Sequence, residues 1–464
     1  MAKQPTVLIM AAGHGTRMRS SLAKVLHPVC GRPMVHWVIE AARNAGAGRI
    51  VCITRPGEGV DTALPDGVEC AEQTTGEGTG AAILAARDNI DPATTVVVLS
   101  GDHPLISSNL IEALTTEHEK AGAAATVLTT EELDPAGYGR VVRGPNGGVE
   151  RIVETKYTEG VPPEELAIRE INIGTYAFVA GDLFDALDAV GEENGERYLT
   201  GVFPVLRERQ RPIAAHSTTD VLSAMGVNTR ADLMTVELHL TQRLIEQHAL
   251  NGVTFLSPQT TVIEADVEIG PETVVGQGVT LHSGTRIGAG CEVGPHTTLK
   301  KAVLGDGVSV AHSYLVEAEV HDGAKIGPFA YLRPGTIVRE GAKVGTFVEV
   351  KNSDIGQGTK VPHLSYIGDA DIGEQTNIGA SNVTANYDGR RKHRTKIGNR
   401  VKTSVDTSFV APVSVGDDAY TGAGSVITDD VPDGALGIAR ARQRNVEGYA
   451  QRKEQEASDE QPGD

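Results

Sequence analysis

Between Ile263 and Ile427 an aliphatic residue, often followed by glycine, recurs every six positions. The first run is Ile263, Ile269, Val275, Leu281, Ile287, Val293 and Leu299. At 40% hydrophobic residues, that many hits in fixed register arise by chance roughly twice in a thousand trials, so composition does not explain the pattern. The rhythm resumes at Leu304, Val310 and Val316; at Ile326, Leu332, Val338, Val344 and Val350; at Ile355, Val361 and Ile367; and at Ile372 and Ile378. It closes with Ile397, Thr403, Phe409, Val415, Thr421 and Ile427. One short strand and one turn per hexad, aliphatic residue inward, is the signature of a left-handed parallel β-helix. Its stacked triangular coils bury a core that no single coil could form. Glycines such as Gly288 and Gly373 follow the inward residue, where the pattern expects a sharp turn free of a Cβ clash.

The first 228 residues follow another rhythm. Thr6 to Met10, Ile50 to Ile53 and Thr95 to Leu99 read as short buried strands, with helical stretches at Met34 to Ala45 and Gly80 to Arg87 between them. Such alternation predicts a mostly parallel α/β sheet. Arg230 to Ala249 lacks glycine and proline and spaces Leu233, Val236, Leu240, Leu244 and Ile245 as a helix does. The organisation expected is therefore an α/β domain over 1–228, a helical linker over 229–251, and a β-helix domain over 252–464. Its polar, acidic tail from about 454 is expected to be disordered.

Charge narrows the partners. With 61 acidic against 42 basic side chains the net charge is -19, which argues against nucleic acid or an anionic membrane, since those surfaces are bound by basic patches. Small anionic substrates remain compatible wherever bases cluster. The four cysteines, 30, 52, 70 and 291, have no metal-like spacing and suit free thiols in a reducing compartment. No signal region precedes the first strand and no apolar run approaches membrane-spanning length, so a cytoplasmic protein is expected.

The loop Ala11-Ala12-Gly13-His14-Gly15-Thr16-Arg17-Met18 directly follows the first strand, with Lys24 shortly beyond. Glycines at the carboxyl end of a strand let backbone N–H groups approach a phosphate, and Arg17 and Lys24 neutralise its charge. Taken alone, such a loop is more often an ordinary strand-to-helix connection. Its spacing matches neither the dinucleotide fingerprint nor the P-loop, which disfavours hydride transfer and P-loop ATP hydrolysis. Asp102 ends another strand, a position suited to holding Mg²⁺ between phosphates, although an isolated aspartate there is more often a helix cap.

Ala-Ala-Gly-x-Gly-Thr-Arg-Met followed by Lys24-Val25-Leu26-His27 closely resembles the nucleotidyltransferases that make nucleotide sugars. Together with hexads on the same chain, it resembles the bifunctional N-acetylglucosamine-1-phosphate uridylyltransferase and glucosamine-1-phosphate N-acetyltransferase family, from residue 6 to about 452. The resemblance implies an α/β nucleotidyltransferase (Rossmann-like) domain, a connecting helix and a left-handed β-helix assembled as a homotrimer. It implies Mg²⁺ held by Asp102 and Asn228, and binding of UTP or the nucleotide sugar by Ala11, Ala12, Gly13, Lys24, Gln73, Gly78, Thr79, Gly139, Glu154, Asn172 and Asn228. The first reaction implied is attack of N-acetylglucosamine-1-phosphate on the α-phosphorus of UTP, with Arg17 and Lys24 offsetting the crowded charge.

For the β-helix the resemblance implies acetyl transfer from acetyl-CoA to glucosamine-1-phosphate, a step towards a cell-wall precursor. A bare hexad array is equally a trimerisation scaffold, so the weight falls on particular residues. His363 is the candidate base for the amine proton, chemistry suited to imidazole near neutral pH, with Glu349 as its orienting partner. Arg333, Lys351, Tyr366, Asn377 and Lys392 match the family's substrate site, and Ala380, Asn386, Tyr387, Ala423 and Arg440 its acetyl-CoA contacts. The excursion Asn386 to Arg394 is strongly basic in an acidic chain. Several positions depart from the family: Ala23 replaces a usual Pro, Gly76 a Gln, Ala81 a His, Gly201 an Asp and Val405 a Ser. These departures leave room for a second reading, in which the first domain binds a nucleotide without turnover or with altered specificity.

Overall fold

A computed structural model describes residues 4–88, 90–155 and 161–459. They form two compact units, one running to Leu244 and the other from Ile245. The division falls inside the helix Arg230–Leu250, which begins with a capping box. The Thr229 hydroxyl accepts from Asp232 N at 3.2 Å while the Asp232 carboxylate accepts from Thr229 N at 2.8 Å.

The first unit is built on a 9-stranded sheet of β1 Thr6–Met10, β2 Arg49–Thr54, β3 Glu69–Glu72, β4 Thr95–Ser100, β5 Ala125–Thr130, β6 Gly139–Arg143, β7 Val149–Val153, β8 Ile171–Val179 and β9 Ile213–Ser217. The order is β9-β5-β8-β4-β1-β2-β3, with β6 joining β8 and β7. β8 runs antiparallel to β4, β5 and β6, and β6 to β7, while the other pairs are parallel. β1 is apolar on both faces because both are covered. Leu8 packs in a cluster with Phe178 and Phe203, whereas Val7 and Ile9 pack in another with Val38 and Ile39. Met10 lies in register with Ser100, so the glycine loop after β1 and Gly101-Asp102 after β4 emerge side by side. That is where open α/β sheets bind ligands.

In the second unit three parallel sheets of 7, 10 and 9 strands form the faces of the β-helix. Ile263 pairs in register with Leu281, and Leu281 with Leu299, so one coil comprises three hexads. The inward hexad positions from Ile326 to Ile427 are all buried. Two positions differ from the pattern. Ile269 is half-buried. Val316 does not point inward: Leu299 pairs with Leu315, which is fully buried, and Val320 follows it into the core. Shortened turns at this point drop a residue from the hexad and shift the register, which strict six-residue counting misses.

The glycines also serve another purpose than expected. At Gly373 a Cβ would lie 2.6 Å from the carbonyl carbon of Gly398, and at Gly288 the same distance from that of Gly305. Neither residue has positive φ. Glycine is required there by the neighbouring coil's close approach, not by a left-handed turn.

The expected disordered tail is corrected in part. Residues 454–459 belong to an exposed helix, Tyr449–Asp459, whose Ala, Gln, Lys and Glu favour helix. Residues 460–464 lie outside the described residues. None of the four cysteines forms a disulfide among the described residues. Among the described residues no helix is long and apolar enough to cross a membrane.

Candidate active sites

In the first unit a cavity of about 320 Å³ opens at the carboxyl ends of β1 and β4, with Ala11, Ala12, Gly13, Lys24, Gln73, Gly78, Thr79 and Asp102 in its wall. Local backbone demands explain how these residues meet. Gly15 is left-handed (φ 56°), and a Cβ there would stand 2.6 Å from Lys24 Cβ, so a glycine is what lets Lys24 reach the loop. Gly78 (φ 93°) leaves no room for a side chain, because a Cβ would fall 2.5 Å from the Arg197 carbonyl oxygen. Next to it the Thr79 hydroxyl accepts from Leu199 N at 2.9 Å. Gln73 is buried, and its amide donates to the Gly76 carbonyl at 3.0 Å.

At the floor, Lys24 Nζ donates to Asp102 Oδ2 and, at 3.4 Å, to Asn228 Oδ1, while Arg17 Nη2 reaches the same Asn228 oxygen at 2.8 Å. The Asn228 loop is tied down by Val227 N donating to the Asp102 carbonyl at 2.9 Å. Burial opposes ionisation of Asp102, but the charges of Lys24 and His103 and hydrogen bonds from Lys24 and Ser100 outweigh it and hold the carboxyl below its usual range. Burial, with the Lys24 charge, lowers the pKa of His103, although Asp102 opposes them. The second carboxylate oxygen, Asp102 Oδ1, is buried with no hydrogen-bond partner. An orphaned anionic oxygen beside an amide oxygen is the donor set a hard cation takes. Among the described residues no three or more His, Cys, Asp or Glu form a metal cage.

Gly139, Glu154 and Asn172 gather on the β6–β8 hairpin region rather than in the cavity wall. Gly139 pairs in register with Asn172, Glu154 Oε1 accepts from the Thr200 hydroxyl at 2.8 Å, and the Asn172 amide donates to Tyr176 at 2.7 Å. Burial, with the charges of Asp232 and Asp102, raises the pKa of the Tyr138 phenol, which connects this region electrostatically to the cavity floor. Sequence reasoning missed Arg55, Glu77 and His103, whose roles depend on contacts across strands.

In the second unit Tyr331, Glu349 and Tyr366 stack in register on successive coils. Arg333 pairs with Glu349 at 2.8 Å. The expected partnership of Glu349 with His363 is therefore corrected: the arginine occupies the carboxylate, and the exposed His363 side chain makes no hydrogen bond among the described residues. Lys351 Nζ donates to both oxygens of Asp369 at 3.0 and 3.2 Å, Asn352 donates to it at 2.6 Å, and Asn386 donates to it as well. Asp369, a buried left-handed residue (φ 49°), is the hub of this cluster and was not legible in the hexads. Burial opposes its ionisation, but hydrogen bonds from Asn352, Lys351 and Asn386 keep its pKa low. Contact with Lys351, then the neighbouring Arg333 charge, lowers the pKa of Lys392.

The basic excursion is a closed hairpin, not a loose loop. Tyr387 bridges Lys392, His393 N donates to the Asn386 carbonyl at 2.8 Å, and Asp388 accepts from Arg390 N, Arg391 N and the His393 ring. Those bonds, the Arg391 N–H first, hold the Asp388 carboxyl at about 2. Along one edge of the prism, the N–H groups of Ser381, Asp406 and Gly424 donate to the carbonyls of His363, Ala380 and Val405 at 3.3, 2.9 and 3.0 Å. This ladder aligns His363, Ala380, Val405 and Ala423 on consecutive coils. Asn377 lies in the adjoining face, bridged to Lys360 and Lys402. Tyr387 and Arg440 are exposed, and Arg440 lies just past the last strand, Leu436–Gly437.

A glycine loop with a carboxylate floor at the carboxyl ends of parallel strands, and a separate solenoid of stacked hexads, define a nucleotidyltransferase joined to a hexapeptide transferase. Comparison with known proteins agrees. Residues 7–209 match the MobA-like NTP transferase domain, and residues 260–295 match six repeats of the bacterial transferase hexapeptide. The chain is 45% identical over 460 residues to Bifunctional protein GlmU of Mycobacterium bovis, covering 96% of this chain and 92% of the relative. It is also 45% identical to the Streptomyces avermitilis protein of that name, covering 96% and 94%, and to that of Kineococcus radiotolerans, covering 97% and 93%. The chain belongs to the GlmU family. It is a bifunctional enzyme of UDP-N-acetylglucosamine synthesis, combining acetyltransferase and uridylyltransferase activities.

Proposed function

We propose that the first unit joins the uridylyl group of UTP to N-acetylglucosamine-1-phosphate, and that the second supplies that substrate by acetylating glucosamine-1-phosphate. The observation that carries the first assignment is the convergence of Lys24, Arg17, Asn228 and the orphaned Asp102 oxygen at the cavity floor. A phosphate oxygen of the sugar phosphate attacks the α-phosphorus, the bond to the β-phosphate bridging oxygen breaks, and pyrophosphate leaves. No protein nucleophile is required, because the attacking oxygen is already anionic. The chain's task is to align the reactants and offset their charge. Arg17 and Lys24 face the phosphates, Gln73, Gly78 and Thr79 the base, and Gly139, Glu154 and Asn172 the sugar. Mg²⁺, held by Asp102 and Asn228, would supply charge neutralisation between phosphates when bound.

In the second unit Arg333, Lys351 and Lys392 hold the sugar phosphate, with Tyr366 and Asn377 beside them. His363 takes the amine proton as the nitrogen attacks the thioester carbonyl and the thiolate of CoA departs. The corner ladder through Ala380 and Ala423, with Asn386, Tyr387 and Arg440, is the path for acetyl-CoA. We further propose a homotrimer. The support is an exposed aromatic ladder on this same edge: His312 and Phe329 rings are 5.3 Å apart, and Phe329 and Phe347 stack at 5.4 Å with 10° between planes. Phe329, Phe347 and Leu364 are more than half exposed, an apolar stripe that a second copy would cover. Cysteines without disulfides suit a cytosolic enzyme.

The decisive experiment is a panel of the four nucleoside triphosphates against several sugar-1-phosphates with Mg²⁺, read by pyrophosphate release. Preference for UTP with N-acetylglucosamine-1-phosphate is expected. Binding without turnover would support a non-catalytic first unit, and preference for another pair would overturn the substrate assignment.

A further inference from the structure

Among the charged residues of the nucleotide cavity, Arg55, just past β2, and Glu77 have no task in the phosphate, metal or sugar assignments. Arg55 Nε donates to the Ala12 carbonyl at 3.2 Å, while Nη1 and Nη2 donate to the two carboxylate oxygens of Glu77 at 3.2 and 3.0 Å. A bidentate pair fixes direction as well as position. The Arg55 hydrogen bonds, with lesser help from His14 at 3.5 Å, hold the Glu77 carboxyl below its usual range. The pair thus ties the glycine loop to the 73–79 segment, the two walls between which a base has to sit.

The remaining polar groups there leave a specific gap. Gln73 donates one of its two amide N–H groups to the Gly76 carbonyl, which fixes the amide and leaves its oxygen available as an acceptor. Gly76 has no side chain to contribute. Uracil presents one N–H flanked by two carbonyl oxygens, so an acceptor from Gln73 matches the N–H and a donor is needed beside it. A guanidinium carries five N–H groups, more than the bonds to Ala12 and Glu77 consume, and Arg55 lines the same cavity as Gln73.

We propose that Arg55 is the donor that reads a uracil carbonyl, with Glu77 as the positioning residue that aims it, and that this pair sets pyrimidine specificity. Cytosine would turn its amino group towards the guanidinium, donor against donor. A mismatch of that kind in a site built for hydrogen bonding is discriminated strongly. The inference rests on the uridylyl transfer proposed above.

The test compares the parent with Arg55→Met, Arg55→Lys and Glu77→Gln in the full-length chain. Pyrophosphate release gives kcat/KM for UTP and CTP, and calorimetry gives the affinity of each nucleotide. Arg55→Met is expected to lower the UTP-to-CTP ratio at least about tenfold, the effect of losing a charged donor, through KM for UTP more than kcat. Arg55→Lys, a donor without the fork, and Glu77→Gln, which loosens the aim, should lie between. Acetyl transfer by the same preparations checks folding. A ratio within twofold of the parent in Arg55→Met overturns the inference. If the parent binds UTP without turnover, the uridylyl transfer reading fails, while the calorimetric ratios still decide the role of Arg55.

Discussion

Replacing Asp369 with alanine separates a positioning carboxylate from a merely structural one. Asp369 accepts from Lys351 at 3.0 and 3.2 Å, from Asn352 at 2.6 Å and from Asn386. Without it, Lys351 faces Lys392 with no counter-charge, and the hairpin carrying Lys392 loses its Asn386 anchor. A hydrogen bond to a charged group is worth about 1.5–3 kcal/mol, and about 1.4 kcal/mol is tenfold in rate. Loss of the aimed ammonium should therefore lower kcat/KM for glucosamine-1-phosphate by about tenfold to a hundredfold. The assay is CoA thiol release across a range of sugar phosphate and of acetyl-CoA. The loss should fall mainly on KM for the sugar phosphate, and Asp369→Asn, which keeps shape but not charge, should recover only part. Pyrophosphate release from the same protein serves as the internal control. Acetyl transfer within twofold of the parent would refute the hub assignment, as would a loss spread equally over both substrates.

Other outcomes follow from the same geometry. Leu315→Ala should destabilise the β-helix by about 2–5 kcal/mol, and Val316→Ala by well under half of that, in denaturant unfolding; equal effects would contradict the observed register. Gly78→Ala forces a Cβ to 2.5 Å from the Arg197 carbonyl in a left-handed conformation, and about 1–3 kcal/mol of strain should reduce uridylyl transfer while sparing acetyl transfer. Because the folded pKa of Asp369 is depressed, its stabilising contribution is complete above the unfolded value of about 4 and disappears as pH falls through the folded one. The melting difference between parent and Asp369→Ala should therefore shrink in acid; a gap that widened instead would reverse the assigned sign.

The hexads made the β-helix legible because the inward residues repeat a local rule, and the rule named the wrong inward residue where turns shortened around Leu315. The glycine loop was legible for a similar reason: loop, lysine and strand are contiguous. Asp369, Arg55 and Glu77 were not, since each acts on residues distant in sequence and brought close by coil stacking or parallel strand pairing. Asp369 looks in sequence like any turn aspartate, and its left-handed corner position marks it only once the coils are stacked. Glu349 stood near His363 in sequence, yet register on the sheet gave it to Arg333.

Whether one chain carries two independent sites is decided by paired assays on Asp102→Ala and His363→Ala. Asp102→Ala should abolish pyrophosphate release and keep acetyl transfer, while His363→Ala should do the reverse. Retention of its own reaction by either variant would refute the two-site assignment.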